Sequence, residues 1–396
     1  MQPGRIARVS LCVLAAACAR SPDRLPTATR YDSAGIRVVV TPADAGEEWR
    51  LGAAPSLDLA DGPTSVHSFS RIRGILELQD GRIVVLDGGT CEIRYFSARA
   101  EPLHQVGRCG RQPGQFVSLW LVGRGPADEL LVWDLETRRF TWLSTAGQPR
   151  AFVELPDSFG TVTPWYVFAD SRVLATVRRT PAALRGAMQD TTVLWDLDPE
   201  TRQQTRLVSK PGVWWWTGPR GREPVPFTGN AVFALRANAV AIAAGSEHAV
   251  ELWSRAGTLQ ARYIDERPAE PLTRAEISEY RDTELRSMDA AAARDRLAEW
   301  NAMPLPAYRL AYDRLLISPD GRIWARDYEW RDQRDHRWTV FDTSGLAIAR
   351  VRTPAFLEIL ELHEDHVLGH GTDENGREHA WVYAIDRPRA GQRNRP

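Results

Sequence analysis

The chain has 396 residues, 43% of them hydrophobic and 26% charged, with a formal net charge of -1. That composition fits a soluble globular protein with ample apolar content for a core, and the near-neutral balance argues against nucleic acid or an anionic membrane surface as a partner. All of the 50 basic residues except Lys210 are arginine, scattered among acids, so the skew reads as genome composition and not as a binding patch.

In chain order, Arg5 and Arg8 precede a short apolar run at 9–17 that ends at Cys18. A basic start, a short apolar stretch and small residues describe a secretory signal over 1–19, too short to span a bilayer. Leu14-Ala-Ala-Ala-Cys18 resembles a lipobox, which would lipidate Cys18 and make it the mature N-terminus; cleavage after Ala19 is the alternative and would release a soluble protein. Both predict an exported protein, periplasmic or held at the outer membrane, touching the membrane only through a lipid anchor. Residues 20–34 read as a linker. In an oxidising compartment Cys91 and Cys109, the two cysteines beyond the signal, are a candidate disulfide.

From residue 35 onwards, short β-type runs separated by Gly, Pro, Asp and Asn turns repeat to about residue 390. Asp80-Gly-Arg-Ile83 recurs as Asp320-Gly-Arg-Ile323, and each copy leads into a strand that ends on aspartate, Asp87 and Asp327; Leu130-Leu-Val-Trp-Asp134 has the same shape. Second runs end at Phe96, Leu143, Trp195, Trp253, Phe341 and Tyr383. Their spacing of roughly 40–60 residues, with one longer gap, predicts an all-β, six-bladed propeller. The run Gly35-Ile-Arg-Val-Val-Val40 has no repeat of its own and is expected to pair with the last blade and close the ring. The longer gap holds an insertion over 266–306, between the fourth and fifth blades. There the capping box Thr273-Arg-Ala-Glu276 opens a helix or helix pair that Pro304 and Pro306 end.

The run Asp80 to Asp87, then Cys91-Glu-Ile-Arg-Tyr-Phe96, then Gly107-Arg-Cys-Gly-Arg-Gln-Pro-Gly-Gln-Phe116, resembles the NHL-type six-bladed β-propellers, in particular secreted bacterial lipoproteins of that fold. The resemblance implies a fold more than an activity, because propellers host many unrelated functions.

Blade topology sorts the candidate sites. Connectors between blades and second-to-third-strand turns share one face; the remaining turns share the other. On the connector face, Trp214, Trp215 and Trp216 offer flat apolar platforms with a hydrogen-bonding edge, next to the insertion and Tyr280; the competing expectation is that these indoles pack beneath the insertion. Asp87, Asp134 and Asp327 could ring the channel mouth and hold a divalent cation, or could cap the turns that come after them. The histidines at 363, 366, 370 and 379 suggest a metal site. However, His366 and His370 on one strand lie ~13 Å apart, so the four cannot share one ion and are expected at the surface.

The glycine-rich stretch Val106-Gly-Arg-Cys-Gly-Arg-Gln-Pro-Gly-Gln-Phe116 lacks the Lys-Ser/Thr pair of a phosphate-binding loop and should precede a strand, not a helix. It reads as a blade connector, stapled if a turn near Arg99 sets Cys91 opposite Gly107. No nucleophile elbow, Walker loop or zincin helix is present. The sequence therefore favours an exported binding or scaffold propeller that needs no cofactor and recognises a small molecule, a glycan or an envelope protein. The alternative is a metal-dependent, lactonase-like hydrolase or lyase with its cation on the aspartates.

Overall fold

The computed structural model describes residues 28–178, 185–330 and 334–388. The signal segment, Cys18 and the first part of the linker lie outside them. The dominant element is an antiparallel meander of four strands. The first unit is Ile72–Glu77, Ile83–Asp87, Glu92–Phe96 and Pro102–Val106; the second is Leu119–Arg124, Leu130–Asp134, Arg139–Leu143 and Pro149–Glu154. A third unit runs over 161–224, a fourth over 232–265, a fifth over 312–354 and the last over 358–386.

The sequence pattern of each strand reflects where it sits. Ile83-Val-Val-Leu-Asp87 and Leu130-Leu-Val-Trp-Asp134 are buried at every position, since each is the second strand of a sheet covered on both faces. The outer strand Pro102–Val106 is largely exposed, Leu103 included. The core is divided among hydrophobic clusters that lie between successive units. One joins Leu86 and Ile93 of the first unit to Leu119 and Val132 of the second. Another joins Leu368 and Val382 of the last unit to Ile75 and Val85 of the first, so the ends of the array meet. Strands facing a central channel on one edge and solvent on the other make this a β-propeller-like architecture.

The N-terminal segment corrects two expectations. Thr29–Ser33, in the stretch read as linker, is a strand that forms a hairpin with Ile36–Thr41. Ile36–Thr41 does not close the ring. It lies parallel to Leu259–Asp265 on the outside of the fourth unit, with Val39 opposite Tyr263. A β-branched run announces a strand, but its partner is set by the buried surface available, and Val39 is wholly buried in the cluster between the fourth and fifth units. Glu47–Leu51 then pairs in parallel with Ala347–Pro354 of the fifth unit. The last unit takes its outermost pairing from Leu57–Asp58, with Leu57 opposite Val382 and Asp58 opposite Trp381.

Between the fourth and fifth units lie two helices, α1 (Arg274–Leu285) and α2 (Ala290–Ala302). Thr273 and Glu276 cap α1 reciprocally, and Asp289 accepts from Ala291 N and Ala292 N to cap α2. Among the described residues no helix is long and apolar enough to cross a membrane.

Candidate functional site

The first strands of all the units line one cavity of about 1210 Å³. Its walls mix aromatic platforms with paired charges. Trp120 and Trp165 remain 41% and 46% exposed there, unusual for indoles on inner strands. The Trp165 Nε1–H donates to Thr176 Oγ1 at 3.0 Å, and its ring meets Phe233 edge-on at 5.4 Å, so its face is fixed and free.

Most channel charges cancel locally. Arg326 pairs with Asp313 at 2.7 Å and with Glu358 at 3.0 Å; Arg314 also pairs with Glu358, and Arg124 holds Glu361 at 2.7 Å. Burial pushes the Asp313 carboxyl up despite Arg326. Burial, with the charge of Arg326, brings Arg314 down to about 10, so it stays charged near neutral pH. His370, also on the wall, is held below the ordinary histidine value by burial. Among the described residues Arg73 has no carboxylate partner; its guanidinium lies 4.5 Å from the centre of the Trp120 ring, a cation–π contact that leaves its hydrogen-bond donors available. Neither Arg73 nor the two exposed indoles was singled out in the sequence. The only signal for Trp120 and Trp165 was a large aromatic at a strand position whose neighbours are apolar.

The sequence-derived candidates fall in other places. Trp214, Trp215 and Trp216 lie on Gln204–Gly218, in the part that rises beyond the third unit as a ribbon. They pair with Gln189, Met188 and Ala187 on one side, and Trp215 and Trp216 pair with Pro224 and Glu223 on the other. All three are half-buried. The ribbon is tied to the helices by Arg296 of α2, which bonds Glu223, Glu284 and Glu299. Burial opposes the charge on Arg296, but the bonds from Glu223 and Glu284 outweigh it and hold its pKa above the ordinary value. Tyr280 packs among Phe227, Trp300 and Trp330 at ring separations of 5.2, 5.3 and 6.2 Å, and burial raises its hydroxyl pKa. The ribbon meets the channel rim at Asn230, whose Oδ1 accepts from Val213 N at 3.2 Å.

The three aspartates do not come together. Asp87 is wholly buried and accepts from Ser70 N, Arg71 N and Gly89 N at 2.9–3.1 Å, with Arg94 at 3.3 Å. Asp134 accepts from Val117 N, Ser118 N, Glu136 N and Thr137 N. Asp327 is gripped by Arg267 at 2.8 and 3.0 Å. Two of the three thus stitch a turn to the preceding connector, and their lone pairs are spent on backbone amides.

The disulfide is present: Cys91 and Cys109 are bonded, with Cα atoms 5.0 Å apart. Gly107 has φ +91°, and a Cβ there would lie 2.8 Å from Cys91 O, so the connector needs glycine to pass the turn it is stapled to. His370 and His379 share no ion site with the other two, as expected, but neither is a plain surface residue: His370 lies on the channel wall, and His379, its side chain 12% exposed, is bound to Asp58 at 2.8 Å and stacked on Trp381. His363 and His366 do not stand alone at the surface. Their rings stack at 4.4 Å, and both face Glu77 of the first unit. Among the described residues, Glu77, His363 and His366 are a group of three that could hold a metal ion.

No family profile matches the chain, and no curated protein matches it. Solved structures do. A member of the DUF4221 family from Bacteroides vulgatus aligns over 86% of this chain and 99% of its own, at 8% identity and a TM-score of 0.51. A gluconolactonase from Xanthomonas campestris aligns over 90% and 100%, at 13% identity and a TM-score of 0.44. A virginiamycin B lyase from Staphylococcus aureus aligns over 80% and 80%, at 8% identity and a TM-score of 0.40. These are β-propeller-like proteins, and this chain's own sheet order and central cavity make it a β-propeller; at 8% identity the likeness to the DUF4221 protein speaks to fold alone.

Proposed function

We propose that this protein is an exported, six-bladed β-propeller that binds an anionic organic ligand with a flat apolar body in its central channel. The observation that carries the reading is Arg73, without a carboxylate partner among the described residues and 4.5 Å from the ring centre of the part-exposed Trp120, inside a cavity of about 1210 Å³. An uncompensated guanidinium on an apolar wall favours a carboxylate or phosphate, and the faces of Trp120 and Trp165 favour a planar or sugar-like body. Six successive antiparallel units, the third with a fifth strand and the last completed by Leu57–Asp58, support the six-bladed count. The ribbon of Trp214, Trp215 and Trp216 and the helix pair with Tyr280 stand beside the connector-face mouth, where they would frame entry. Export, with Cys18 as lipid anchor, rests on the N-terminal residues.

A hydrolase or lyase holding a cation on Asp87, Asp134 and Asp327 has less support, because Asp87 and Asp134 are engaged by backbone amides and Asp327 by Arg267. The test is a thermal-shift and tryptophan-fluorescence screen against a panel of aromatic carboxylates and sugar phosphates. Compounds that bind should lose about tenfold or more in affinity with Arg73→Ala, the scale of one charge-assisted contact, and should quench less with Trp120→Phe. Binders indifferent to both changes would overturn the channel assignment.

A further inference from the structure

Glu77 ends the first strand of the first unit, while His363 and His366 flank the first turn of the last unit, so they meet across the junction where the two ends of the array join. The His366 Nε2 atom lies 2.8 Å from Glu77 Oε2, although the residues are 289 positions apart. His363 Nε2 is 3.9 Å from the same oxygen and 3.3 Å from Glu361 Oε2. The donor atoms of Glu77, His363 and His366 all fall within 4.8 Å of one another.

Two features of this cluster call for a cation. His363 Nε2 is buried and makes no well-directed hydrogen bond, its nearest acceptor being Glu361 Oε2 at 3.3 Å. The Nδ1 of His366 is 2.7 Å from Asp365 Oδ1. With Nδ1–H donated to Asp365, a neutral His366 turns the lone pair of Nε2 onto a carboxylate oxygen of Glu77. Two facing lone pairs require a proton or a metal between them. A carboxylate behind an imidazole is also the usual support for a metal-ligating histidine.

The turn fixes both rings, since His363 N–H donates to His366 O at 2.9 Å. Glu361, beside them, is held by Arg124 at 2.7 Å and by the Glu77 N–H at 2.6 Å. Donors bound at 2.0–2.1 Å around a tetrahedral ion lie about 3.3 Å apart, so the observed spacings need adjustments of about an ångström or less for most pairs.

We infer that Glu77, His363 and His366 form a binding site for a divalent transition-metal cation of the zinc class, which clamps the last unit of the ring to the first. Two imidazoles and one carboxylate suit zinc better than the all-oxygen sets of calcium or magnesium. The site lies on the face opposite the connectors, and it stands or falls independently of the proposed channel ligand. A cation bridging both ends of the chain stabilises the closed ring in proportion to its occupancy.

The test uses the full chain without an affinity tag, stripped with a chelator, desalted and titrated with zinc chloride by calorimetry, with metal content and melting temperature measured in parallel. One zinc per chain and a melting temperature that rises with zinc are expected. His366→Ala and Glu77→Gln should abolish both effects. Asp365→Asn, at an 85% exposed side chain, leaves all three donors and the fold in place; it should weaken zinc ~10–100-fold, the usual cost of losing a supporting carboxylate. His370→Ala should bind as the wild type does. No stoichiometric zinc on the wild type would overturn the inference and leave His366 as an imidazolium between Glu77 and Asp365. Zinc bound equally by Asp365→Asn and Glu77→Gln would overturn it too, placing the ion elsewhere.

Discussion

Reducing the bond between Cys91 and Cys109 isolates one covalent contribution to this fold. The bridge spans 18 positions, and cross-linking a loop of that size removes ~3 kcal/mol of chain entropy from the unfolded state. Unfolding entropy near the midpoint is ~2.1 cal/mol/K per residue, so for a chain of this length ~3 kcal/mol corresponds to a shift of about 4 °C. Calorimetry of the wild type with and without reductant should therefore show a melting temperature about 4 °C lower when reduced. A Cys91→Ala, Cys109→Ala double variant should melt at or below the reduced wild type, because Cys91 is 4% exposed and packs in the core. It should also ignore reductant. Thiol titration of both proteins, denatured and without reductant, gives the complementary reading. Equal counts are expected, since the remaining cysteines are shared. Two additional thiols on the wild type would refute the bridge; a bridge whose reduction left the melting temperature unchanged would refute the entropic account.

Asp134→Ala leaves four backbone donors without their acceptor and should cost about 3 kcal/mol in urea unfolding. Asp134→Asn should recover part of it, and a loss below ~1 kcal/mol for the alanine variant would show that water replaces the cap. His248, 4% exposed, is held below the ordinary histidine value by burial and then by Arg267. The unfolded chain gains a proton near pH 6.5 while the native state resists it, so stability falls as pH drops from about 6.5 towards the lower native value. From pH 7.5 to 5.5 the urea midpoint should fall further for the wild type than for His248→Gln; equal falls would show that His248 takes up its proton as readily in the native protein as in the unfolded chain.

Much of the fold was legible because the local chemistry repeats. Asp80-Gly-Arg-Ile83 and its copy announce a tight turn into a doubly covered strand, and aspartate at the strand end caps the next turn; Asp87 and Asp134 do this. The staple was legible because hairpin counting brings Cys91 opposite the connector. Pairing between distant segments was not legible. Ile36–Thr41 looks the same whether it borders the fourth unit or the last, since alternation specifies a face and not a neighbour. The candidate sites share that blindness: Glu77 meets His366 only because the array curves back on itself, and nothing in the pattern around Arg73 shows that the channel acids Glu358 and Glu361, far along the chain, are taken by Arg314, Arg326 and Arg124.

The path of residues 29–58 has a consequence for how the protein is made. Its successive strands lie against Leu259–Asp265, then Ala347–Pro354, then Glu378–Asp386. The first strands of the domain are therefore seated in stages, each only once a much later unit has been made. During synthesis the hairpin of Thr29–Ser33 and Ile36–Thr41 can form locally, but its docking on the fourth unit and the docking of the later strands are long-range events, the slow kind of contact in folding. A chain cut short before Leu259 would leave all three of these strands without their partners, a sticky N-terminus instead of a slightly smaller propeller; one cut between Pro354 and Glu378 would still strand Leu57–Asp58.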